Sequence, residues 1–230
     1  MRVVGVDGCP GGWLAIEYDD EARSITPTIH RSFAELLAAY PTGTRIGVDI
    51  PIGLAQGEPR RCDVEARKVL GARRSSVFPA PDPRVVTAAT YERASDLSRT
   101  FTGGGISQQA FAIFPKILEV NWAMTPALQD RVFEVHPEVS FWALAGRPME
   151  HSKATAEGFN ERRELLMEAL GVDIPERRAA GAWAKPAAAD DVLDAIVAAW
   201  TARRHAIGTA GRLPGEPQID ARGIRLEIVH

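Results

Sequence analysis

Two apolar runs in this chain each carry a carboxylate at their end, and that pairing restricts its folding more than any other feature. Arg2 to Asp7 takes Val3, Val4, Gly5 and Val6 into Asp7, and Arg45 to Ile50 takes Ile46, Gly47 and Val48 into Asp49. A carboxylate at the end of a buried strand is costly unless it is paired or coordinated. Sheets of parallel strands place their ligands outside the carboxyl ends of those strands. The two runs therefore predict neighbouring strands of an α/β sheet whose acidic ends face a common site.

The segments between them fix the order of elements. Gly8-Cys9-Pro10-Gly11-Gly12 is turn chemistry, after which Trp13 to Tyr18 resumes as a strand and Ser24 to Ile29 forms a third. Ser32 caps a helix with Glu35 three residues on and Phe33, Leu36 and Leu37 as its apolar stripe, and Pro41 and Gly43 stop it. Strand, hairpin strand, strand, helix, strand predicts a mixed sheet that begins as an antiparallel meander and continues by a parallel crossover.

Residues 60–121 carry little strand signal. Arg61 to Leu70 and Val85 to Leu97 read as helices, Ser75 to Arg84 as a proline-rich loop, and Ser107 as the cap of a helix to about Ile113. The expectation is one domain over 1–230 with 60–121 inserted as a mostly helical, loop-rich rim. Beyond it, Arg131 to Val135 is a compact strand, Pro137 opens a helix to about Leu144, and Asn160 to Leu170 turns Leu165, Leu166 and Leu170 inward. Asp190 to about Ile207 is the strongest helix, with Val192, Leu193, Ile196, Val197 and Trp200 at helical spacing. Ile224 to Val229 alternates and reads as an edge strand or a loop over the core.

Twenty-seven basic against 30 acidic residues give a formal charge of -3, so no overall basic character points to nucleic acid, although a local basic rim is compatible with it. Cys9 and Cys62 are too few for a disulfide framework or a structural zinc site and read as two inert thiols. No run approaches the about 18 apolar residues that a membrane helix needs, which predicts a cytoplasmic protein with no membrane partner.

Carboxylates gather at the ends or faces of apolar elements: Asp7, Asp49, Glu134 in the third apolar strand, and Asp190, Asp191 and Asp194 at the start of the long helix. Hard divalent ions such as Mg²⁺ and Mn²⁺ prefer this oxygen chemistry. Two ions about 4 Å apart across a scissile phosphate need several converging carboxylates. Acids in a first helical turn also serve as caps and dipole partners, which is the competing account of Asp190. His136 beside a strand end is placed to position water or a leaving group, and Lys116 to neutralise a phosphate. Arg60, Arg61, Arg67, Arg73 and Arg74 form a positive run, either a solvated helix face or a contact for a phosphate backbone. The glycine turn is not a Walker loop and does not match Gly-x-Gly-x-x-Gly, so a tight hairpin beside a metal centre is its simpler account.

The stretches Gly5-Val6-Asp7-Gly8-Cys9-Pro10-Gly11-Gly12-Trp13, Asp49-Ile50-Pro51-Ile52-Gly53-Leu54, Arg61-Cys62-Asp63-x-x-Ala66-Arg67, Ser76-Val77-Phe78-Pro79-Ala80-Pro81, Gln109-Ala110-Phe111-x-Ile113-x-Pro115-Lys116-Ile117 and Glu134-Val135-His136-Pro137-Glu138 resemble the DUF429 family. The resemblance implies a ribonuclease H-like fold and a predicted nuclease activity. It implies that Asp7, Asp49, Glu134 and one or both of Asp191 and Asp194 form the superfamily's carboxylate cluster. The expected function is thus phosphodiester hydrolysis with two Mg²⁺ or Mn²⁺ ions, on a nucleic acid or a small phosphoester. The rival readings are ATP-dependent phosphoryl transfer on an actin-like variant of the fold, and a non-catalytic interaction domain.

Overall fold

The structure, a computed structural model, describes residues 1–230. β1 (Arg2–Cys9), β2 (Gly12–Asp19) and β3 (Ser24–His30) form an antiparallel meander, with Cys9 opposite Gly12 so that Pro10-Gly11 alone make the first turn. After α1 (Phe33–Ala39) the chain crosses to β4 (Arg45–Val48), which runs parallel to β1 with Val6 beside Val48. β5 (Val132–Glu134) adds in parallel to β4, giving the order β3-β2-β1-β4-β5. Ser32 caps α1 by accepting the Glu35 N–H, while a Glu35 carboxylate oxygen accepts the Arg31 N–H. Half of the reciprocal pattern expected of this spacing is met, the Glu35 carboxylate reaching one residue past the cap to Arg31 instead of to the Ser32 N–H.

Between β4 and β5 the chain forms α2 (Arg61–Leu70), a 3-10 turn over Gly71–Ser76, α3 (Tyr91–Thr102), α4 (Gln108–Ala112) and α5 (Phe114–Ala123), with no strand among them. The helix expected from Val85 starts instead at Tyr91. Asp82 ties the N–H groups of Val85 and Val86 into turns, and Thr90 caps the helix proper by accepting from Arg93. After β5 come α6 (Pro137–Ala145), α7 (Ala156–Leu170), α8 (Arg177–Trp183) and α9 (Ala189–Ala206). On α7, Leu166 and Leu170 are buried as expected, whereas Leu165 is only half-buried.

The tail departs from expectation. β6 (Arg212–Ile219), whose Pro214 and Pro217 argue against a strand, pairs antiparallel with β7 (Arg225–Val229) in a separate two-stranded sheet. The pairing is irregular between Leu213 and Gln218, which accommodates the prolines on an edge. The segment expected as an edge strand or a loop over the core is a strand, β7, joined to the main sheet by a bridge from Val229 to Val135.

The two faces of the sheet bury separate cores. Val3, Leu14, Ile16 and Tyr18 pack with α9 and α7 through Val192, Ile196, Leu166 and Leu170, while Val4, Val6, Trp13 and Ala15 pack with Phe33, Leu36, Phe114 and Ile117. No helix is long and apolar enough to cross a membrane.

Candidate metal centre

Strand alternation decides which side chains meet. On β1, Val3, Gly5, Asp7 and Cys9 share the face under α9, because successive residues point to opposite sides. Gly5 is the closest point: a Cβ there would stand 1.9 Å from the Ala195 carbonyl oxygen and 2.1 Å from the Ala199 nitrogen. Gly47 on β4 makes a similar approach, 2.8 Å from the Ala198 carbonyl oxygen. Two glycines on adjacent strands, facing the alanine-rich side of α9, let helix backbone rest on sheet backbone. That contact brings Asp194 down onto the carboxyl ends of β1 and β4.

Asp7, Asp49 and Asp194 converge there, each offering one carboxylate oxygen, all within 4.8 Å of one another. Asp49 follows β4 directly and its N–H donates to the Val6 carbonyl at 2.8 Å, continuing the parallel register. The expectation that Asp7 and Asp49 lie side by side on neighbouring parallel strands is met. Asp7 and Asp194 are buried and Asp49 is half-buried. Their shared difficulty is electrostatic. Burial, and after it the neighbouring Asp49, lifts Asp7 well above the ordinary carboxylate range. Burial and Asp194 do the same to Asp49. Burial pushes Asp194 up to about 6, against the opposing charge of Lys153. Three converging buried acids are the donor set and charge that a hard divalent ion satisfies, so these residues fit Mg²⁺ or Mn²⁺.

The other residues singled out in the sequence fall around this triad. Glu134, at the end of β5 beside Val48, lines the same cavity, but its Oε2 accepts from Arg60 Nη2 at 2.5 Å and from the Ile52 N–H at 2.7 Å. Burial raises Glu134 to about 7 in spite of that guanidinium. Asp191 points elsewhere: its Oδ2 accepts the Ala188 N–H at 2.8 Å, a cap at the first turn of α9. Of the two helix acids left open by the sequence, Asp194 is the one that meets Asp7 and Asp49. Asp190 lies at the rim, 3.7 Å from Lys153.

His136 lines the cavity with Nε2 donating to the Ser76 carbonyl at 3.3 Å, which leaves Nδ1 as a buried acceptor without a partner. Burial lowers its pKa, so the ring is neutral. Lys116 lies across Gly8, where a Cβ would be 2.6 Å from its Cδ, donates to the Gly12 carbonyl and sits 4.4 Å from the centre of the Trp13 ring. An added Cβ in the glycine turn would meet Lys116 at Gly8, Pro186 at Gly11 and the His30 carbonyl at Gly12, while Pro10 and Gly11 themselves are exposed.

The positive run does not form one outward face. Arg60 is buried on Glu134, Arg67 donates to the Val77 carbonyl, and Arg73 donates to the His151 carbonyl and lies 3.6 Å from Glu138. Arg61 and Arg74 are exposed.

Sequence reasoning passed over Lys153. It stands in the loop between α6 and α7, with Nζ 2.5 Å from Asp194 Oδ2, and lines the cavity. Burial works against its charge, yet Asp194, Asp49 and Asp7 hold its pKa above the ordinary lysine range. Also unforeseen was Glu138 in the first turn of α6, where one oxygen is bound to the fully buried Arg162 and the other has no partner. The cavity that collects these groups measures roughly 560 Å³ and is walled by Arg73, by Ser75 to Phe78, by Ile113 and Lys116, and by Ser152 and Lys153. The two cysteines are both buried and free, and they lie in different cores.

A family model described as "Protein of unknown function (DUF429)" matches residues 5–219. No curated protein and no solved structure matches the chain.

Proposed function

The chain belongs to the DUF429 family, and from that premise we propose that it is a Mg²⁺- or Mn²⁺-dependent phosphodiester hydrolase, a nuclease of ribonuclease H-like fold. The observation that carries this reading is the convergence of Asp7, Asp49 and Asp194 at the carboxyl ends of two parallel strands, on a floor open to one cavity. The sheet supports the fold reading: three antiparallel strands, then two parallel ones on the far side of β1.

Asp7, Asp49 and Asp194 would hold the ion. A divalent ion bound there would polarise a phosphoryl oxygen and acidify water. The close triad leaves out Glu134, whose Oε2 is taken by Arg60 and Ile52, so the geometry favours one ion on the three aspartates over two ions shared among four carboxylates. His136, neutral and with an unpartnered Nδ1, is the proton acceptor of the site. Lys116 has one donor spent on Gly12 and sets a fixed positive charge on the cavity wall. The cavity is the size of those that enclose single small molecules, about 300–1,000 Å³, which suits a small phosphoester or one unpaired nucleotide.

Phosphoryl transfer from ATP is less well supported. The actin-like variant needs a second glycine hairpin, and here β5 runs straight into α6 without one.

The test is hydrolysis of bis(p-nitrophenyl) phosphate, a dinucleotide, and single-stranded DNA and RNA, with Mn²⁺, with chelator, and by Asp7→Asn. Cleavage of at least one substrate that needs both Mn²⁺ and Asp7 is expected. Mn²⁺ binding without cleavage of any of them would instead favour a non-catalytic interaction domain, and ATP-dependent phosphate release without cleavage would favour the kinase-like reading.

A further inference from the structure

The metal site contains a cation of its own, and this is the one feature of the cavity that a simple carboxylate centre does not need. Lys153 Nζ is 2.5 Å from Asp194 Oδ2 and 3.7 Å from Asp190 Oδ2, against a triad whose oxygens lie within 4.8 Å of one another. An ammonium group is a compact point charge with three donors on a flexible stem. It pairs with the carboxylate of Asp194, one of the three acids that would hold the metal.

The loop that carries Lys153 is held in place from both sides. Glu161 accepts the N–H groups of Glu150 and His151, and Arg73 and Arg162 both donate to the His151 carbonyl. Thr155 folds back on the Ser152 carbonyl. Gly158 lets α7 close on the loop, because a Cβ there would stand 1.9 Å from the Ser152 carbonyl oxygen. The backbone is thus pinned within two residues of Lys153, while the side chain is 43% exposed and held by its ion pair with Asp194. The same cavity presents the hydroxyls of Ser75 and Ser152, neutral donors suited to a phosphate oxygen.

We propose that Lys153 is a substrate-phosphate ligand held in reserve on Asp194, and that divalent-ion binding at Asp7, Asp49 and Asp194 transfers its ammonium group from that carboxylate to the phosphate of the substrate. The inference rests on the metal reading above. Its physical content is competition followed by handover. Two positive charges a few ångströms apart repel, so the ion and the ammonium cannot both stay on Asp194 at no cost. Once displaced, the ammonium can give charge-assisted hydrogen bonds to a phosphate in the cavity. Metal and phosphate then bind with positive coupling through Lys153, in addition to any direct contact between them.

The measurement is calorimetric titration of the full chain with Mn²⁺, and then with inorganic phosphate in saturating Mn²⁺, for wild type, Lys153→Met, Lys153→Gln and Lys153→Arg. Loss of the ammonium should tighten Mn²⁺ on the order of tenfold or more and weaken phosphate on the order of tenfold. Lys153→Arg, which keeps the charge, should stay near wild type for Mn²⁺. Two neutral variants guard against one that fails to fold, checked by circular dichroism. Mn²⁺ and phosphate affinities unchanged in Met and Gln variants that bind Mn²⁺ normally would overturn the handover and leave the metal site standing. Mn²⁺ binding by none of the four proteins would overturn the metal reading itself, and the handover with it.

Discussion

Gly5 and Ala195 are in backbone contact: a Cβ on Gly5 would stand 1.9 Å from the Ala195 carbonyl oxygen, and one residue before Ala195 on α9 is Asp194, two after Gly5 on β1 is Asp7. The meeting of the two aspartates is thus a consequence of how closely a helix is allowed to approach a strand. Gly5→Ala should therefore damage both fold and site. Overpacking ordinarily costs about 1–3 kcal/mol, and here the clash is backbone against backbone, where nothing can rotate away. A loss of about 3 kcal/mol or more in urea unfolding, with loss of Mn²⁺ stabilisation in whatever folds, is the expected result. A near-neutral Gly5→Ala would show that α9 does not sit on the sheet in this way.

Glu134 anchors Arg60 and the Ile52 turn through Oε2. Arg60→Met leaves a buried acid without its partner and should cost about 3–5 kcal/mol. The double variant Arg60→Met with Glu134→Gln should cost less than the sum of the two single changes, measured as a double-mutant cycle. Mn²⁺ affinity in the double variant should be close to wild type. A collapse of Mn²⁺ affinity in a folded Glu134→Gln protein would return Glu134 to the ligand set.

Asp191 and Asp194 divide the work of α9 between cap and ligand. Asp191→Ala removes an acceptor for the Ala188 N–H and should cost about 1 kcal/mol, with the Mn²⁺-induced rise in melting midpoint preserved. Asp194→Asn should abolish that rise. The reverse pattern would exchange the roles.

The acids of the triad also make a pH prediction whose sign is set by their raised pKa values. Between the unfolded and folded pKa, the native state holds protons that the unfolded state has released, so stability falls as pH rises through the folded values. Buried histidines with lowered pKa act in the opposite sense below about pH 6.5, and they are common to wild type and variant. The stability difference between metal-free Asp7→Asn and wild type isolates the triad. Asp7→Asn should be the more stable protein near about pH 8, with an advantage that shrinks toward about pH 5 at up to about 1.4 kcal/mol per pH unit for each proton. A difference that is flat across this range would mean the triad is not mutually repelling.

The parts legible in the sequence are those that local chemistry dictates. Asp7 and Asp49 stand out because each ends an apolar strand, Ser32 and Glu35 because the cap spacing is self-contained, and α9 because its apolar repeat is long. Arg60 read as part of a charged run because nothing local signals that Glu134, 74 residues away, buries it. Lys153 was passed over for the same reason, since its partner lies 41 residues on and the loop that aims it is positioned by Glu161, Arg162 and Gly158. β6 was hidden by its prolines, which an edge strand tolerates and a central one does not. The glycines at 5 and 47 were visible as residues, while their purpose needed the helix that lies over them.

The central claim is that Asp7, Asp49 and Asp194 hold a divalent ion, and thermal unfolding of wild type and Asp7→Asn with and without Mn²⁺ tests it most directly. An ion bound only by the native state raises the melting midpoint by linkage, by about 2.7 kcal/mol in stability at a hundredfold excess over its dissociation constant. A neutral amide is a poor ligand for a hard ion, while its shape leaves the packing of β1 unchanged. The account predicts a clear rise for wild type and little or none for Asp7→Asn. Equal stabilisation of the two proteins by Mn²⁺, or of neither, would contradict it.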